Sequence, residues 1–178
     1  PLKVVIENYP EDRDETLEAM NHPQNPAMGM RQIRMSREVY IDRDDFMEVA
    51  PNKKFKRLVA GGEVRLRYGY VIRCVDVIKN NQGDIIELRC EYDPATRGAE
   101  AVGRKVKGVI HWVSARHGHE AEIRLYDRLF THPMPDATDA DYSDLLNPDS
   151  LRTLTRCVVE PALCAGGDGE RFRGERGG

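Results

Sequence analysis

The sequence predicts a mainly β protein built from short strands. Helical periodicity is scarce, whereas apolar and polar residues alternate with a period of two in several separate segments. Residues typical of turns separate these segments, as in NNQGD at 80–84. A chain with many short strands commonly closes its sheet into a barrel, because closure removes exposed strand edges. We therefore expect a barrel architecture with only short helices.

The first predicted strand covers residues 2–8, LKVVIEN. The segment 21–30, NHPQNPAMGM, contains two prolines and a glycine, and this composition predicts a long surface loop. A short helix is expected after Asp42, because an acidic residue at this position can cap a helix N-terminus.

A half-buried strand is predicted upstream of the turn at 80–84. Its apolar and basic residues alternate, so the two sets point to opposite faces. The expected buried face consists of Val64, Leu66, Tyr68, Tyr70 and Ile72, and the expected outer face consists of Arg65, Arg67 and Arg73. This strand would combine a core face with a basic surface.

The turn at 80–84 predicts the strongest hairpin of the chain. The strand after it alternates charged residues with an apolar set, which is Ile86, Leu88, Cys90 and Tyr92. If the turn is centred near Gln82, Cys74 and Cys90 lie opposite one another. No Cys-x-x-Cys pair is present, which argues against a zinc ribbon or a thioredoxin-type site. We therefore expect both thiols to be reduced core residues.

Further strands are predicted at 106–113, 121–126 and 151–159. Another short helix is expected after Asp139, again with an acidic N-cap. The tail at 165–178 has six glycines in fourteen residues and only Phe172 to bury. We expect this tail to be mobile.

Charge is distributed unevenly along the chain of 178 residues, whose formal net charge is -3. Acidic residues crowd one early segment, namely Glu11, Asp12, Asp14, Glu15 and Glu18. A later segment has a single acid, Glu63, against a basic set, namely Lys53, Lys54, Lys56, Arg57, Arg65, Arg67 and Arg73. Local charge, rather than the total, therefore selects the partner.

The sequence contains neither an apolar run long enough to cross a membrane nor a signal peptide, which predicts a cytoplasmic location. The chain also lacks an initiating Met and begins inside a predicted strand. We therefore expect it to be a piece of a longer protein.

The basic segment at 53–73 has a composition that fits RNA as a partner. Cations beside Phe55, Tyr68 and Tyr70 offer charge for phosphates, guanidinium groups for base edges and rings on which unstacked bases can lie. A solvated strand face with core aromatics would have the same composition and remains an alternative. A second basic group, Arg104, Lys105 and Lys107, is also compatible with an exposed strand edge.

Catalytic and metal-binding motifs are not supported. His111, Ser114 and Asp127 have the residue types of a hydrolytic triad, but the sequence lacks the Gly-x-Ser-x-Gly motif that would support one. His117 and His119 have ligand-like spacing but lack a third imidazole or thiolate, which favours an exposed loop. No phosphate loop or dinucleotide-binding motif occurs.

Five ordered blocks carry a family resemblance: PLKVVIENY, NHPQNPAMG, FKRLVAGGEVRLRYGYVI, GRKVKGVIHWVSA and EIRLYDRLF. Together they resemble the carboxy-terminal anticodon-binding region of the bacterial glutaminyl-tRNA synthetases. The resemblance implies two small antiparallel β-barrels with short helices over residues 1–164, with an internal boundary left open. It also implies that 165–178 is a truncated or altered end of the last barrel, which would be left incomplete or with an unpaired edge.

The resemblance further implies that the chain binds the anticodon loop of glutamine tRNA. The full-length enzyme would be a class I ligase that attaches glutamine to this tRNA using ATP with Mg, in a catalytic domain outside this segment. The segment alone would be non-catalytic and without a cofactor. It would be monomeric and bind neither DNA nor a membrane.

The family's RNA-contacting block matches KKFKRLVAGGEVRLR, so the resemblance assigns RNA binding to Lys54, Lys56, Arg57, Arg65 and Arg67. Lys54 stands where some relatives carry Gln, which exchanges an amide that reads a base edge for a charge that favours phosphate. No catalytic or metal-binding residue is assigned. Two alternatives remain: an autonomous module related to the 5S-RNA-binding ribosomal proteins, and the equivalent region of a glutamyl-tRNA synthetase.

Overall fold

The computed structural model describes residues 1–22, 24–98, 105–106 and 108–164. It confirms a mainly β protein, with 46% strand and 13% helix. The strands are β1 Leu2–Ile6, β2 Glu15–Met20, β3 Met30–Met35, β4 Glu38–Ile41, β5 Phe46–Met47, β6 Leu58–Val59, β7 Glu63–Leu66, β8 Val71–Lys79, β9 Ile85–Asp93, β10 Val109–Ile110, β11 Trp112–Ser114, β12 His119–Tyr126 and β13 Leu151–Val159. One α-helix, α1 Pro161–Cys164, and five 3-10 helices complete the described elements: Pro26–Met28, Arg43–Asp45, Pro94–Thr96, Pro135–Ala137 and Tyr142–Leu145.

Seven strands form a nearly closed, barrel-like sheet in the order β10-β7-β8-β9-β1-β4-β11. Its two edge strands, β10 and β11, are separated in sequence only by His111, so the sheet must curl until its edges meet. Arg67 joins both edges through its backbone, since its N–H donates to Ile110 O at 3.0 Å and its carbonyl accepts from Trp112 Nε1 at 2.9 Å. The predicted barrel is therefore confirmed. Two pairs in it, β1 with β9 and β10 with β7, are parallel.

The barrel encloses the main hydrophobic core. Its largest fully buried side chains include Leu2, Ile6, Met35, Leu58, Leu66, Ile72 and Leu88. Tyr70 and Tyr9 pack against Tyr92 with ring centroids 4.9 and 5.1 Å apart. Burial of each large apolar side chain contributes about 1.5–3 kcal/mol, so this interior is the main source of stability for the barrel.

The predicted hairpin around 80–84 is confirmed as β8 and β9, and Cys74 pairs directly with Cys90. Both cysteines are buried free thiols, as expected. The hydrogen bond with Cys74, together with burial, raises the pKa of Cys90, which keeps that thiol neutral. Ile86 was expected in the core but is 49% exposed, because the register shifts between Ile78 and Lys79, close to the turn.

The single strand predicted from Val64 to Ile72 is wrong. β7 ends at Leu66 and β8 begins at Val71, so that Val64 pairs with Ile72 across a tight turn. Tyr68 lies in the turn with a φ of 62°, and Gly69 N–H donates to Leu66 O at 2.8 Å. Alternate residues on both sides of the turn are buried, namely Val64, Leu66, Tyr70 and Ile72. The alternation of apolar residues therefore continues through the turn, which explains why the sequence pattern did not reveal the turn.

Most other predicted elements are confirmed in part or in full. The strand predicted at 2–8 is β1, those at 121–126 and 151–159 are β12 and β13, and the later part of 106–113 is β10 and β11. Residue 107 and the tail at 165–178 lie outside the described residues. In the predicted loop at 21–30, residue 23 lies outside the described residues and Met30 already belongs to β3. The described part of this segment lies between β2 and β3, two strands that the sequence pattern did not predict.

The two predicted helices are single turns of 3-10 helix. Asp42 is the N-cap of Arg43–Asp45, and its Oδ1 accepts from Asp44 N at 3.0 Å. The cap expected at Asp139 is instead Asp141, whose Oδ1 accepts from Ser143 N at 3.0 Å. The first cap was therefore predicted correctly, whereas the second was placed two residues too early.

The described chain divides into two compact units. The smaller unit is Glu120–Cys157, and the larger contains the described residues on both sides of it. In the smaller unit Phe130 packs near Tyr142, with ring centroids 5.8 Å apart, and forms an isolated bridge with Leu146. β12 and β13 pair with each other in a two-stranded sheet.

Glu160 follows β13 and belongs to the larger unit, where it forms a partly buried network. Its carboxylate accepts from Arg31 Nε at 2.8 Å and from Arg31 Nη2 at 3.2 Å, and His111 Nε2 lies 3.2 Å from the same carboxylate. Burial alone would raise the pKa of Glu160, but the hydrogen bonds with His111 and Arg31 and the charge of Arg31 lower it to about 2. The ionised form is therefore the one that the fold stabilises.

The Glu160 network makes folding sensitive to acid. A carboxyl whose pKa is lower in the folded state contributes stability above its unfolded pKa of about 4.3, and this contribution disappears as the pH falls towards 2. A shift of this size corresponds to about 3 kcal/mol. In urea unfolding at several pH values, Glu160→Gln should lose stability at neutral pH and show a flatter acid dependence than the wild type. Glu120→Gln, an exposed change, should retain the wild-type dependence, and an equally steep decline in Glu160→Gln would contradict the assignment.

Candidate nucleic-acid interface

An open groove of about 500 Å³ lies on the larger unit. Three parts of the chain line it: the loop between β5 and β6, the paired strands β7 and β8, and the segment before β10. A second depression of about 530 Å³ shares Phe55, Lys56 and Arg57 with the first, so the two adjoin. We call this surface the basic groove, and its residues are Lys54, Phe55, Lys56, Arg57, Arg73 and Lys105.

Close backbone contact at Gly108 brings two of these parts together. A Cβ atom at Gly108 would lie 2.0 Å from Lys56 O and 2.8 Å from Lys56 C, distances that no side chain can adopt. Gly108 O accepts from Arg65 N at 2.9 Å, which leads the chain into the parallel pairing of β10 with β7. Glycine at 108 thus allows Lys105 to line the same groove as Lys56.

A turn at 52–55 presents Lys54 and Phe55. Asn52 Oδ1 accepts from Lys54 N at 2.9 Å, and Phe55 N donates to Asn52 O at 3.2 Å. These bonds fix the backbone while the Lys54 side chain remains exposed. Phe55 is half-buried and lines both depressions, so its ring is available at the groove wall.

Arg57 is held in place by a buried acid. Its Nε lies 3.2 Å from Asp45 Oδ1, and its Nη1 donates to Asp44 O at 3.1 Å. The side chain of Asp45 is only 3% exposed, whereas that of Arg57 is 47% exposed. The guanidinium group is therefore oriented by the fold and still accessible to a ligand.

The remaining groove cations are not neutralised within the described chain. The side chains of Lys54, Lys56, Arg73 and Lys105 form no ion pair or hydrogen bond with any residue that the structure describes. Glu63 is the acidic residue among the described lining residues. A concave surface with this excess of positive charge attracts phosphate groups.

The five residues that the sequence assigned to RNA divide into two groups. Lys54, Lys56 and Arg57 lie together in the basic groove. Arg65 is half-buried, and its Nη1 donates to Gly69 O at 3.1 Å and Thr96 O at 2.8 Å, which fastens the β7–β8 turn. Arg67 is also half-buried at that turn. An RNA contact by Arg65 or Arg67 stays a prediction.

The three aromatic residues that the sequence placed beside the basic segment lie in different environments. Tyr70 is 2% exposed and donates its hydroxyl to Glu15 Oε2 at 2.8 Å, so it is a core residue. Tyr68 packs against the core at the turn. Phe55 is the described aromatic residue that lines the groove.

Sequence reasoning did not assign Arg73 and Lys105 to the site. Each belonged to a basic group that was visible in the sequence, but the two groups are far apart along the chain. Only the parallel pairing of β10 with β7 and the antiparallel pairing of β7 with β8 bring them to one surface. The charge pattern identified both groups as basic, but only the strand pairing shows that Arg73 and Lys105 share a surface.

The described structure does not bring the other candidate catalytic or metal-binding residues together into a site. Within the described residues, no group of three His, Cys, Asp or Glu side chains could hold a metal ion. Ser114 is buried, and its Oγ lies 2.7 Å from Ser36 Oγ. His117 Nε2 lies 3.1 Å from Asp14 Oδ1. None of the helices in the described part of the chain is long and apolar enough to cross a membrane.

Comparisons with protein families cover nearly the whole sequence. The family described as "tRNA synthetases class I (E and Q), anti-codon binding domain" matches residues 1–93. A second family with the same description matches residues 109–178. The basic groove draws residues from the first match and from the segment immediately before the second.

Individual relatives are similar along the same length. A glutamine--tRNA ligase of Nitrobacter winogradskyi is 55% identical over 179 residues, which is 100% of this chain and 32% of the relative. That of Nitrobacter hamburgensis is 58% identical over 164 residues, covering 92% of this chain and 29% of the relative. That of Pseudomonas syringae pv. tomato is 53% identical over 180 residues, covering 100% of this chain and 31% of the relative. The chain thus spans about a third of the length of these relatives.

Proposed function

Because this chain belongs to the anticodon-binding domains of the class I tRNA synthetases of the E and Q type, we propose that it binds the anticodon loop of glutamine tRNA for a glutamine-tRNA ligase. The identity of 53–58% to glutamine--tRNA ligases supports glutamine as the amino acid. The same similarity favours a ligase over an autonomous RNA-binding module.

The basic groove is the observation that carries this proposal. Anticodon bases are unstacked in a loop, and proteins recognise such bases by stacking on aromatic rings and by hydrogen bonds to their edges. Phe55 offers the ring. The exposed guanidinium group of Arg57, whose Nε and Nη1 contact Asp45 and Asp44, offers its remaining N–H groups as donors to a base edge. Lys54 and Lys56 supply charge for the loop phosphates, which position the RNA without reading its sequence.

The intact protein would attach glutamine to its tRNA with ATP and Mg. These ligands would bind in a catalytic domain outside this chain, and the chain itself contributes recognition of the tRNA. Its place of action would be the cytoplasm, and it would act as a monomer. The contribution of the groove to the reaction is to hold the tRNA so that its acceptor end reaches the catalytic centre.

The proposal predicts a preference for the glutamine anticodon. Glutamine tRNA and the same tRNA with an exchanged anticodon are titrated against the intact protein at moderate salt. The cognate tRNA should bind more tightly, by about 1–3 kcal/mol for each bidentate hydrogen-bonded pair that the exchanged bases cannot form. Filter binding across a salt series measures both affinities.

Arg57→Ala provides the matched variant. It should reduce the difference between the two tRNAs, while the activation of glutamine by ATP should be unchanged. Equal binding of both tRNAs by the wild-type protein would leave only nonspecific phosphate attraction and would contradict the proposed function.

A further inference from the structure

We propose that Arg73 and Lys105 form a binding subsite for an RNA phosphodiester group in the basic groove, next to the ring of Phe55. The subsite rests on the proposed function, because its ligand is the backbone of the same tRNA loop. It adds two residues to the interface that are not among the five that the sequence assigned to RNA binding and that the comparisons do not name. It also gives them a role different from base recognition.

The two residues converge on one wall from separate elements. Arg73 lies on β8, where it pairs across the hairpin with Glu63 of β7, and its side chain is exposed. Lys105 precedes β10, which runs parallel to β7 on the other side. β7, which carries Glu63, therefore lies between the strand that carries Arg73 and the strand that follows Lys105. All three residues line the groove of about 500 Å³ that also contains Phe55.

Their charges are available to a ligand. Arg57 has Asp45 as a partner, whereas Arg73 and Lys105 have no ion-pair or hydrogen-bond partner among the described residues. A guanidinium fork binds phosphate in a bidentate manner, and an ammonium group binds it as a point charge. Two exposed cations beside an aromatic ring match the alternation of phosphate and base along a single strand.

A phosphate contact has a signature that a structural role lacks. Each contact with single-stranded RNA contributes about 0.7 to the slope of log K against log salt concentration. Arg73→Gln and Lys105→Gln should each reduce this slope by about 0.7, and the double variant by about 1.4. The affinity defect of each single variant should be about threefold larger at about 50 mM than at about 200 mM salt. The ratio of cognate to exchanged-anticodon affinity should not change, because phosphate contacts do not read bases.

The experiment uses filter binding of glutamine tRNA to the intact protein. Lys79→Gln is the control for net charge, since Lys79 is an exposed cation of β8 that pairs with Glu48 at 2.8 Å and lies about 20 Å along the strand from Arg73. It should leave the salt slope unchanged. Arg73→Lys should restore the slope, because it keeps the charge. Thermal unfolding of the Arg73 and Lys105 variants should match the wild type, since neither side chain has a described partner to lose.

Unchanged slopes in both single variants would overturn the subsite, while a wild-type preference for the cognate anticodon would leave the proposed function intact. A loss of slope that Lys79→Gln reproduces would also overturn it, because the effect would then be one of net charge. Equal wild-type affinity for both tRNAs would instead refute the proposed function, and the subsite with it.

Discussion

Replacing Gly108 with alanine should lower the free energy of unfolding of the barrel by about 3 kcal/mol, at the upper end of what overpacking usually costs. The new Cβ atom would meet Lys56 O at 2.0 Å and Val64 Cγ2 at 2.9 Å. Rotation of a side chain cannot relieve the first contact, because the oxygen belongs to the backbone. Either the segment before β10 or the loop that contains Lys56 must move.

Urea unfolding followed by the fluorescence of Trp112 measures this effect, since Trp112 is the single tryptophan and is buried on β11 beside the barrel closure. Gly69→Ala is the matched control, in the turn between β7 and β8. A Cβ atom there would lie 3.5 Å from Leu66 Cβ, which is an ordinary contact. Near-equal stability of the two variants would show that the Gly108 backbone is free to shift.

Displacement at position 108 should also weaken tRNA binding. Lys56 and Lys105 face the same groove only because the backbone at Gly108 reaches the carbonyl of Lys56. Barrel closure and the shape of the basic groove therefore depend on the same close approach. A variant that remains folded but separates these two segments should bind phosphate more weakly while its core stays intact.

Local pattern predicted the elements whose pairing partners are neighbours in sequence. The turn at 80–84 fixed the register of β8 and β9 closely enough to place Cys74 opposite Cys90. Acidic caps indicated both short helices, because capping involves residues only two or three positions apart. Such features depend on contacts within a few residues, and a single sequence contains that information.

Features that depend on distant pairing were not predictable in the same way. Alternation continued through the turn at Tyr68, since the residues on both sides of it face one core. Arg65 was predicted to contact RNA. It stabilises that turn by donating a hydrogen bond to Thr96 O, which is 31 positions away in the sequence. Lys105 reaches the groove through pairing between β10 and β7. Composition identified the right residue types, and topology decided which of them share a surface.

Glu15 is an acidic residue whose environment also could not be predicted from local sequence pattern. In the sequence it is one of five acidic residues crowded into an early segment, yet it is 8% exposed at the start of β2. Its Oε2 accepts from Tyr70 Oη at 2.8 Å and from Tyr9 Oη at 3.3 Å, and Arg97 Nε lies 2.9 Å from its Oε1. One carboxylate thus fastens the β2–β3 hairpin to the barrel core.

Glu15→Ala should destabilise the chain by about 3 kcal/mol or more, because it leaves two buried hydroxyl groups without an acceptor. Glu15→Gln keeps the shape but loses the charge, and should cost about 1.5–3 kcal/mol. Glu18→Gln is the matched control, since Glu18 lies on the same strand but is exposed, and it should change stability by less than about 0.5 kcal/mol. Similar urea midpoints for Glu15→Gln and Glu18→Gln would contradict the network.

Titration of the tyrosines separates the charge of Glu15 from its packing. Burial, followed by the hydrogen bond and the charge of Glu15, raises the pKa of Tyr70 to about 12. A raised pKa means that the neutral phenol stabilises the fold below pH of about 10, the unfolded value, and that this contribution is lost as the pH rises towards 12. In Glu15→Gln the burial remains while the charge is gone, so tyrosinate absorbance should develop at lower pH than in the wild type. An unchanged titration would mean that burial alone sets the pKa of Tyr70 and that Glu15 holds the hairpin only by its shape.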